Sequence, residues 1–180
     1  MPPYSLAAAL YDRMIGRFTF DQWRENFERL MRRYPFEITC CADVACGTGQ
    51  VSRYLSQRGA SVTAVDISPD MLRAAQAVIG DLKVALLRQD MRYLYLPDHV
   101  NLIICATDSI NHLLHEKDIR RAFLSFYSNL VPGGYVLFDM NTAWQLREGS
   151  DIEPWDFEVD SEAMRWISEW DEPSRTASLQ

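Results

Sequence analysis

The feature that most constrains the fold of this chain is the alternation of short apolar runs with helical patterns. The apolar runs occupy residues 39–45, 61–65, 84–87, 100–106 and 135–138. They are almost continuously apolar, as expected of strands that are covered on both faces. The stretches between them place apolar residues at helical spacing, and two of these stretches end at Gly59 and Gly80. The pattern predicts an α/β fold with a doubly wound, mainly parallel sheet, right-handed crossovers and helices on both faces.

Two segments outside the alternating region differ from it. Residues 1–36 carry apolar positions at helical spacing, which predicts helices. In the tail, residues 163–170 alternate in polarity, residues 171–174 have the composition of a turn, and residue 176 begins a return strand. The tail is therefore predicted to be aromatic-rich, with an antiparallel hairpin whose second strand is incomplete. The predicted division of the chain is residues 1–36, 37–145 and 146–180.

Composition excludes several classes of protein. The 180 residues include 18 basic and 25 acidic side chains, a formal net charge of −7, which argues against non-specific binding to nucleic acids. No apolar run approaches the roughly 20 residues that cross a bilayer. The four cysteines include the neighbours Cys40 and Cys41 and form no C-x-x-C pair, so we expect neither disulfides nor a metal site. A reducing, cytoplasmic location is the matching expectation.

A glycine-containing loop follows the first predicted strand, from Asp43 to Gly49. Glycines let the backbone approach a ligand closely, and the helix that follows offers free N–H groups at its start. In open α/β sheets, ligands bind at the carboxyl ends of strands, near the reversal in strand order. The second predicted strand ends in Asp66, whose carboxylate could accept hydrogen bonds from both hydroxyls of a ribose. These features predict a ligand that contains a nucleoside.

The loop disfavours a dinucleotide. The dinucleotide fingerprint G-x-G-x-x-G needs a third glycine, and Ser52 occupies that position here. The loop has no basic residue to meet a phosphate, and Asp43 would repel a pyrophosphate. A nucleoside that bears an ammonium and a sulfonium suits this acid better. An NAD(P)-dependent oxidoreductase is kept as the alternative.

Five motifs resemble, in order and spacing, those of class I S-adenosylmethionine-dependent methyltransferases. They are Asp43 to Gly49, Ala64 to Leu72, Gln89 to Met91, Asp108 to His112 after the fourth strand, and Leu130 to Gly134 before the fifth. The resemblance covers about residues 4 to 145. It implies a Rossmann-like sheet, an N-terminal helical lid and a central S-adenosylmethionine-binding core. The terminal strands of the family's seven-stranded sheet are expected to be absent.

The resemblance implies that one group of residues holds the methionine part of S-adenosylmethionine. The group is the Asp43 side chain and the backbone around Ala45, Cys46, Gly47 and Gly49. The family's first glycine is Ala45 here, a change that leaves room for a backbone contact. Ala106, at the end of the fourth strand, would lie near the reactive sulfonium.

A second group is implied for the nucleoside part. Asp66 would bind the ribose hydroxyls, and Ile67 would pack on the adenine. Met71 belongs to the same motif and is included among the cofactor-binding residues. Asp90 and Met91 would meet the edge of the adenine.

The implied reaction is transfer of a methyl group to an acceptor, for which a protein mainly supplies orientation. A base is needed only where the acceptor must lose a proton. The catalytic candidates are Asp108 and His112 on the loop after the fourth strand, and Tyr11 of the N-terminal helical segment. A small-molecule acceptor is the expectation, because the acidic charge disfavours a nucleic acid.

One further alternative comes from the tail. The unfinished hairpin leads us to expect a chain shorter than its natural functional unit, which leaves open a non-catalytic cofactor-binding fragment. If the fifth strand is left as a bare apolar edge, self-association through that edge is expected.

Overall fold

The computed structural model describes residues 17–34, 36–150, 155–159 and 162–179. The chain divides into two compact units, Met1–Asp139 and Met140–Gln180. In chain order the elements of the first unit are α1 (Arg17–Arg33), β1 (Cys40–Val44), α2 (Gln50–Gln57), β2 (Ser61–Asp66), α3 (Pro69–Ile79), β3 (Val84–Arg88), β4 (Val100–Cys105), α4 (Glu116–Ser128) and β5 (Leu130–Phe138). Short 3-10 turns lie at Met91–Tyr93 and Ser109–His112.

The five strands of the first unit form one parallel sheet in the order β3-β2-β1-β4-β5. β1 lies in the middle, so that Asp43 is in register with Ala64 of β2 on one side and Ile104 of β4 on the other. The strand order therefore reverses between β1 and β4. The parallel, doubly wound sheet predicted from the apolar runs is confirmed.

Helices cover both faces of the sheet because successive strand residues point to opposite sides. On one face, Cys41 and Leu102 pack in a core cluster with residues of α1 and α2. On the other, Ala42 and Ile103 pack in a second cluster with Phe126 of α4. These strand residues are fully buried, which explains why the runs that carry them read as continuously apolar.

α1 contributes aromatic side chains to the first of these clusters. Trp23 and Phe27 are buried, and their ring centroids stack 4.9 Å apart. Tyr54 of α2 meets both rings edge-on, and its hydroxyl donates to Glu28 at 2.9 Å. This part of the predicted N-terminal segment therefore packs on the core. The remainder of that segment, residues 1–16, lies outside the described residues.

α3 begins as its sequence predicts. The Ser68 hydroxyl accepts a hydrogen bond from the Met71 N–H at 3.3 Å, Pro69 takes the first helical position, and Asp70 lies in the first turn. The helix ends at Gly80, which has a φ of 61°. Its cap places the start of α3 directly after the end of β2.

The prediction for the fifth strand was wrong about its start. The apolar run predicts a strand over 135–138 only, after the turn-forming residues Pro132, Gly133 and Gly134, whereas β5 runs over the whole of Leu130–Phe138. The proline and glycines instead produce an irregularity inside the strand, where the register with β4 shifts. Gly134 is needed there, because a Cβ would lie 3.0 Å from the Val131 carbonyl oxygen.

The second unit consists of α5 (Ala143–Ser150), β6 (Trp155–Val159), β7 (Glu162–Trp166), β8 (Ser168–Asp171) and β9 (Thr176–Leu179). β6 pairs with β7 and β8 pairs with β9, both antiparallel. The predicted hairpin around residues 171–174 is confirmed by the second pair, whereas the single alternating strand over 163–170 is interrupted at Ile167. The boundary between the compact units lies at Asp139, six residues before the end of the predicted core.

No helix among the described residues is long and apolar enough to cross a bilayer.

Candidate cofactor site

A cleft of about 340 Å³ opens where the carboxyl ends of the strands of the first unit meet. Six of the residues predicted for the site line it: Ala45, Asp66, Ile67, Asp90, Met91 and His112. They come from four different segments of the chain, and the reversal of strand order between β1 and β4 brings those segments together.

The loop after β1 bends sharply through residues in the left-handed region. Ala45, Gly47 and Gly49 have φ values of 57°, 53° and 82°. The Cys46 N–H donates to the Val65 carbonyl at 2.9 Å, which ties the loop to β2. At Gly49 space is limiting as well, because a Cβ would lie 3.0 Å from the Cβ of Ala75. The loop therefore leads from β1 into α2 by a backbone path that glycine favours.

Asp66 connects this loop with the start of α3. One carboxylate oxygen accepts a hydrogen bond from the Gly47 N–H at 2.9 Å, and the other accepts one from the Ser68 N–H at 2.8 Å. The side chain is only 8% exposed, and burial raises the pKa of its carboxyl group, although these hydrogen bonds and His112 act to lower it. The backbone of Ile67 also hydrogen-bonds to this carboxylate, so three of its roughly four acceptor positions are used and about one remains for a ligand hydroxyl.

Asp43 lies beneath the loop. It is almost fully buried, and its Oδ2 accepts a hydrogen bond from the Ser52 hydroxyl at 2.6 Å. Burial raises the pKa of Asp43 to about 7, while the hydrogen bond from Ser52 acts in the opposite direction. Asp43 is not among the residues that line the cleft. Ser52 entered the sequence argument only as a missing glycine, and its role as the partner of Asp43 was not foreseen.

A charged network supports the predicted adenine side of the cleft. The Arg92 guanidinium donates to both oxygens of Asp90, with an Nη2–Oδ2 distance of 2.6 Å and an Nε–Oδ1 distance of 3.0 Å. Arg92 also pairs with Asp118 of α4 at 3.4 Å. The hydrogen bonds from Arg92 lower the pKa of Asp90 and keep it ionised. Neither Arg92 nor Asp118 was predicted from the sequence.

The loop after β4 carries the two remaining catalytic candidates that the structure describes. Asp108 has a φ of 50° and precedes the 3-10 turn Ser109–His112, whose last residue lines the cleft. The backbone N–H groups of Thr107 and Asp108 donate to the carboxylate of Asp139 at 2.8 and 2.7 Å. Asp139 directly follows β5 and was also missed, although an acid directly after a strand is the signal that identified Asp66.

The other predicted residues lie near the cleft without lining it. They are Asp43, Cys46, Gly47, Gly49, Met71, Ala106 and Asp108. Met71 is buried in the first turn of α3, and Ala106 is buried at the end of β4. Tyr11 lies outside the described residues. Among the residues that are described, no cluster of histidine, cysteine or acidic side chains could hold a metal ion.

The chemistry of the cleft fits a cationic nucleoside. Three carboxylates, Asp66, Asp90 and Asp118, line it together with the guanidinium of Arg92. The loop from Asp43 to Gly49 has no basic side chain. Apolar surface is available at its rim, where Ile67 is 59% and Leu114 is 69% exposed. An adenine could cover such surface, while its ribose hydroxyls could donate to a carboxylate.

Comparison with known proteins points to the same chemistry. Residues 41–134, just over half of the chain, match the family described as methyltransferase domain. The chain is 31% identical over 147 residues to YqeM of Bacillus subtilis (strain 168), a protein named as a methyltransferase, and the match covers 81% of this chain and 58% of YqeM.

Two further similarities concern an enzyme and a crystal structure. The chain is 30% identical over 152 residues to the dTDP-3-amino-3,6-dideoxy-alpha-D-glucopyranose N,N-dimethyltransferase of Streptomyces fradiae, and the match covers 83% of this chain and 53% of that enzyme. The fold matches the crystal structure of an S-adenosylmethionine-dependent methyltransferase from Clostridium acetobutylicum ATCC 824 with a TM-score of 0.79 and 25% identity. That match covers 94% of this chain and 70% of the other. The chain thus spans little more than half the length of the curated relatives described here.

Proposed function

The chain belongs to the class I S-adenosylmethionine-dependent methyltransferase family, and we propose that it transfers a methyl group from S-adenosylmethionine to a small-molecule acceptor. The observation that carries the proposal is the position of Asp66 in the cleft. Its carboxylate lies beside the glycine-containing loop, shares the cleft with Asp90, and keeps acceptor capacity for a ligand hydroxyl.

The cofactor would be held by the residues that the two sides of the cleft supply. Asp66 would accept hydrogen bonds from the ribose hydroxyls, and Ile67 would cover the adenine. Asp90 and Met91 would meet the adenine edge, with Asp90 held in place by Arg92. The backbone from Ala45 to Gly49 would hold the methionine part of the cofactor. The buried side chain of Asp43, at the start of this loop, would assist it.

When bound, S-adenosylmethionine supplies a methyl group activated by a positively charged sulfur. The protein's own task is then to hold the acceptor in line with that group and to exclude water. An acceptor that must lose a proton needs a base within hydrogen-bond reach. His112 is the candidate that lines the cleft, and Asp108 and Tyr11 are the others proposed to touch the acceptor.

A small amine is the first acceptor class to assay. The enzyme from Streptomyces fradiae is named for dimethylation of an amino sugar, which supports a nitrogen acceptor of small size. A neutral amine attacks carbon without prior loss of a proton, so a base would act only when the product releases its proton. The oxidoreductase alternative has no support among these similarities, and NADH serves as its test ligand.

Calorimetric titration with S-adenosylhomocysteine tests the proposal, with NADH titrated in parallel. We expect micromolar binding of S-adenosylhomocysteine and none of NADH. Replacing Asp66 by alanine should weaken binding by about tenfold to a hundredfold, because hydrogen bonds to a carboxylate are worth about 1.5–3 kcal/mol. Asp81→Asn is the matched control, since Asp81 is exposed and outside the cleft. Binding of NADH alone would refute the proposal.

Three further proposals accompany this function. We propose that residues 1–36 act as a lid on a core of residues 37–145, ahead of the tail at 146–180. A cytoplasmic location is supported by the free thiols of Cys40, Cys41, Cys46 and Cys105. Self-association through β5, which ends the sheet among the described strands, would show as a concentration-dependent shift in gel filtration.

A further inference from the structure

The loop after β4 adopts backbone conformations that its residues do not favour. Thr107 and Asp108 have φ values of 52° and 50°, and neither is a glycine. The left-handed region is uncommon for such residues, and for a β-branched threonine it is a genuine outlier. A conformation of this kind persists only where neighbouring groups stabilise it.

The carboxylate of Asp139 is the stabilising group. Its Oδ1 accepts a hydrogen bond from the Thr107 N–H at 2.8 Å, and its Oδ2 accepts one from the Asp108 N–H at 2.7 Å. The regular pairing of β4 with β5 ends where Cys105 lies opposite Phe138. Beyond that point the Asp139 side chain, rather than a backbone carbonyl, accepts the N–H groups of Thr107 and Asp108.

Further hydrogen bonds continue from this point towards the cleft. The Ser109 hydroxyl donates to the Ala106 carbonyl at 2.8 Å, and the Asn111 N–H donates to the Asp108 carbonyl at 2.8 Å. Ile110 is buried in the core cluster, and its packing there anchors the turn Ser109–His112. Hydrogen bonds therefore fix the backbone of residues 106–112, between the end of β4 and His112. The two N–H groups that donate to Asp139 belong to the first part of this loop.

We propose that Asp139 is a positioning residue for methyl transfer. By accepting two successive backbone N–H groups, it holds Thr107 and Asp108 in the left-handed region and so places His112 at the cofactor cleft. The inference rests on the proposed function, because the importance of that placement depends on a ligand in the cleft. It assigns to Asp139 a role that requires both of its carboxylate oxygens.

The test substitutes Asp139 by asparagine, which keeps one acceptor oxygen and presents an NH₂ group to the other backbone N–H. We expect the affinity for S-adenosylhomocysteine to fall by about tenfold, as loss of the loop conformation predicts. Amide exchange of Thr107 and Asp108, followed by NMR, should accelerate in the variant. Asp98→Asn is the matched control, because Asp98 is exposed in the loop before β4.

A rescue experiment separates positioning from general stability. Thr107→Gly removes the cost of a positive φ, so in the Asp139→Asn background it should restore most of the lost affinity. A merely structural loss would not be repaired by a glycine in this loop. The same glycine in the natural background should change the affinity by less than about threefold, because Asp139 already holds the conformation.

The outcomes distinguish this inference from the function on which it rests. Unchanged affinity in Asp139→Asn, or no rescue by Thr107→Gly, would overturn the role of Asp139 alone. Failure of the natural chain to bind S-adenosylhomocysteine would overturn the proposed function itself. If Asp139→Asn does not fold, amide exchange in the natural chain decides: fast exchange at Thr107 and Asp108 would refute the hold by Asp139, and slow exchange would support it.

Discussion

Asp43 is an acid with little access to water. It is nearly fully buried beneath the glycine-containing loop, and one hydroxyl, that of Ser52, donates to it at 2.6 Å. Burial penalises the ionised form, so the pKa of Asp43 is raised to about 7. Near neutral pH the charge beneath the loop therefore depends on pH.

This raised pKa makes stability depend on pH with a definite sign. Between about pH 4 and pH 7 the folded chain keeps a proton on Asp43 that the unfolded chain has lost, so the free energy of unfolding falls as pH rises through that window. In Asp43→Asn this contribution is absent, while the amide oxygen can still accept from Ser52. We would measure urea unfolding of both proteins from pH 4 to 8. The free energy of unfolding of the variant, relative to that of the natural chain, should rise with pH by at most about 4 kcal/mol. Parallel pH curves would contradict the prediction.

Asp66 and Asp139 differ in how visible they are in the sequence. Asp66 ends an apolar run and follows a glycine-containing loop at a recognisable spacing, so its place at the cleft could be predicted. Asp139 also follows a strand, but its partners Thr107 and Asp108 are about thirty residues earlier in the chain. Their positive φ values arise only in the folded loop and cannot be predicted from the residue types threonine and aspartate. Ser52 and Arg92 were missed for a similar reason, since each acts through a specific side-chain contact.

At the scale of elements, hydrophobic periodicity predicted which segments become strands and helices. It was less informative about where they begin, as the early start of β5 shows. Pro132 and two glycines are typical of a turn, yet in β5 they are accommodated by a register shift next to β4. Because β5 ends the sheet among the described strands, one of its sides has no neighbour there to enforce a regular ladder. Local composition therefore predicted a turn where the structure has a strand with a register shift.

α1 is predicted to be essential for stability, in addition to any part it plays in a lid. Phe27 is 4% exposed and packs with Trp23 and Tyr54. Truncating it to alanine should lower the free energy of unfolding by about 3–5 kcal/mol in urea denaturation. Tyr34, 59% exposed just after α1, is the control, and its alanine variant should stay within about 0.5 kcal/mol of the natural chain. A small effect of Phe27→Ala would mean that α1 is not part of the core.

At the scale of the whole molecule, the cleft belongs to one compact unit. All of its lining residues lie within Met1–Asp139, which contains the complete five-stranded sheet and both core clusters. The core predicted from the sequence ends at residue 145, six residues beyond this boundary.

This organisation predicts that the first unit binds ligand by itself. A chain of residues 1–142 should unfold cooperatively and bind S-adenosylhomocysteine within about threefold of the 180-residue chain in calorimetry. A chain of residues 1–128, which lacks β5 and Asp139, is the contrasting variant and should lose both properties because β4 loses its pairing with β5. If residues 1–142 fold but fail to bind, the second unit must contribute to the ligand site.

The division of the chain also separates its fluorophores. Trp23 is the single tryptophan of Met1–Asp139, and the other four, at positions 144, 155, 166 and 170, belong to Met140–Gln180. Trp23 is buried in the core, so its emission reports on the packing of α1 against the sheet. In Trp23→Phe, tryptophan emission comes from the second unit alone, whereas a chain of residues 1–142 ends before Trp144 and reports on the first unit alone. The molecule thus carries a separate optical signal for the melting of each unit, without any added dye.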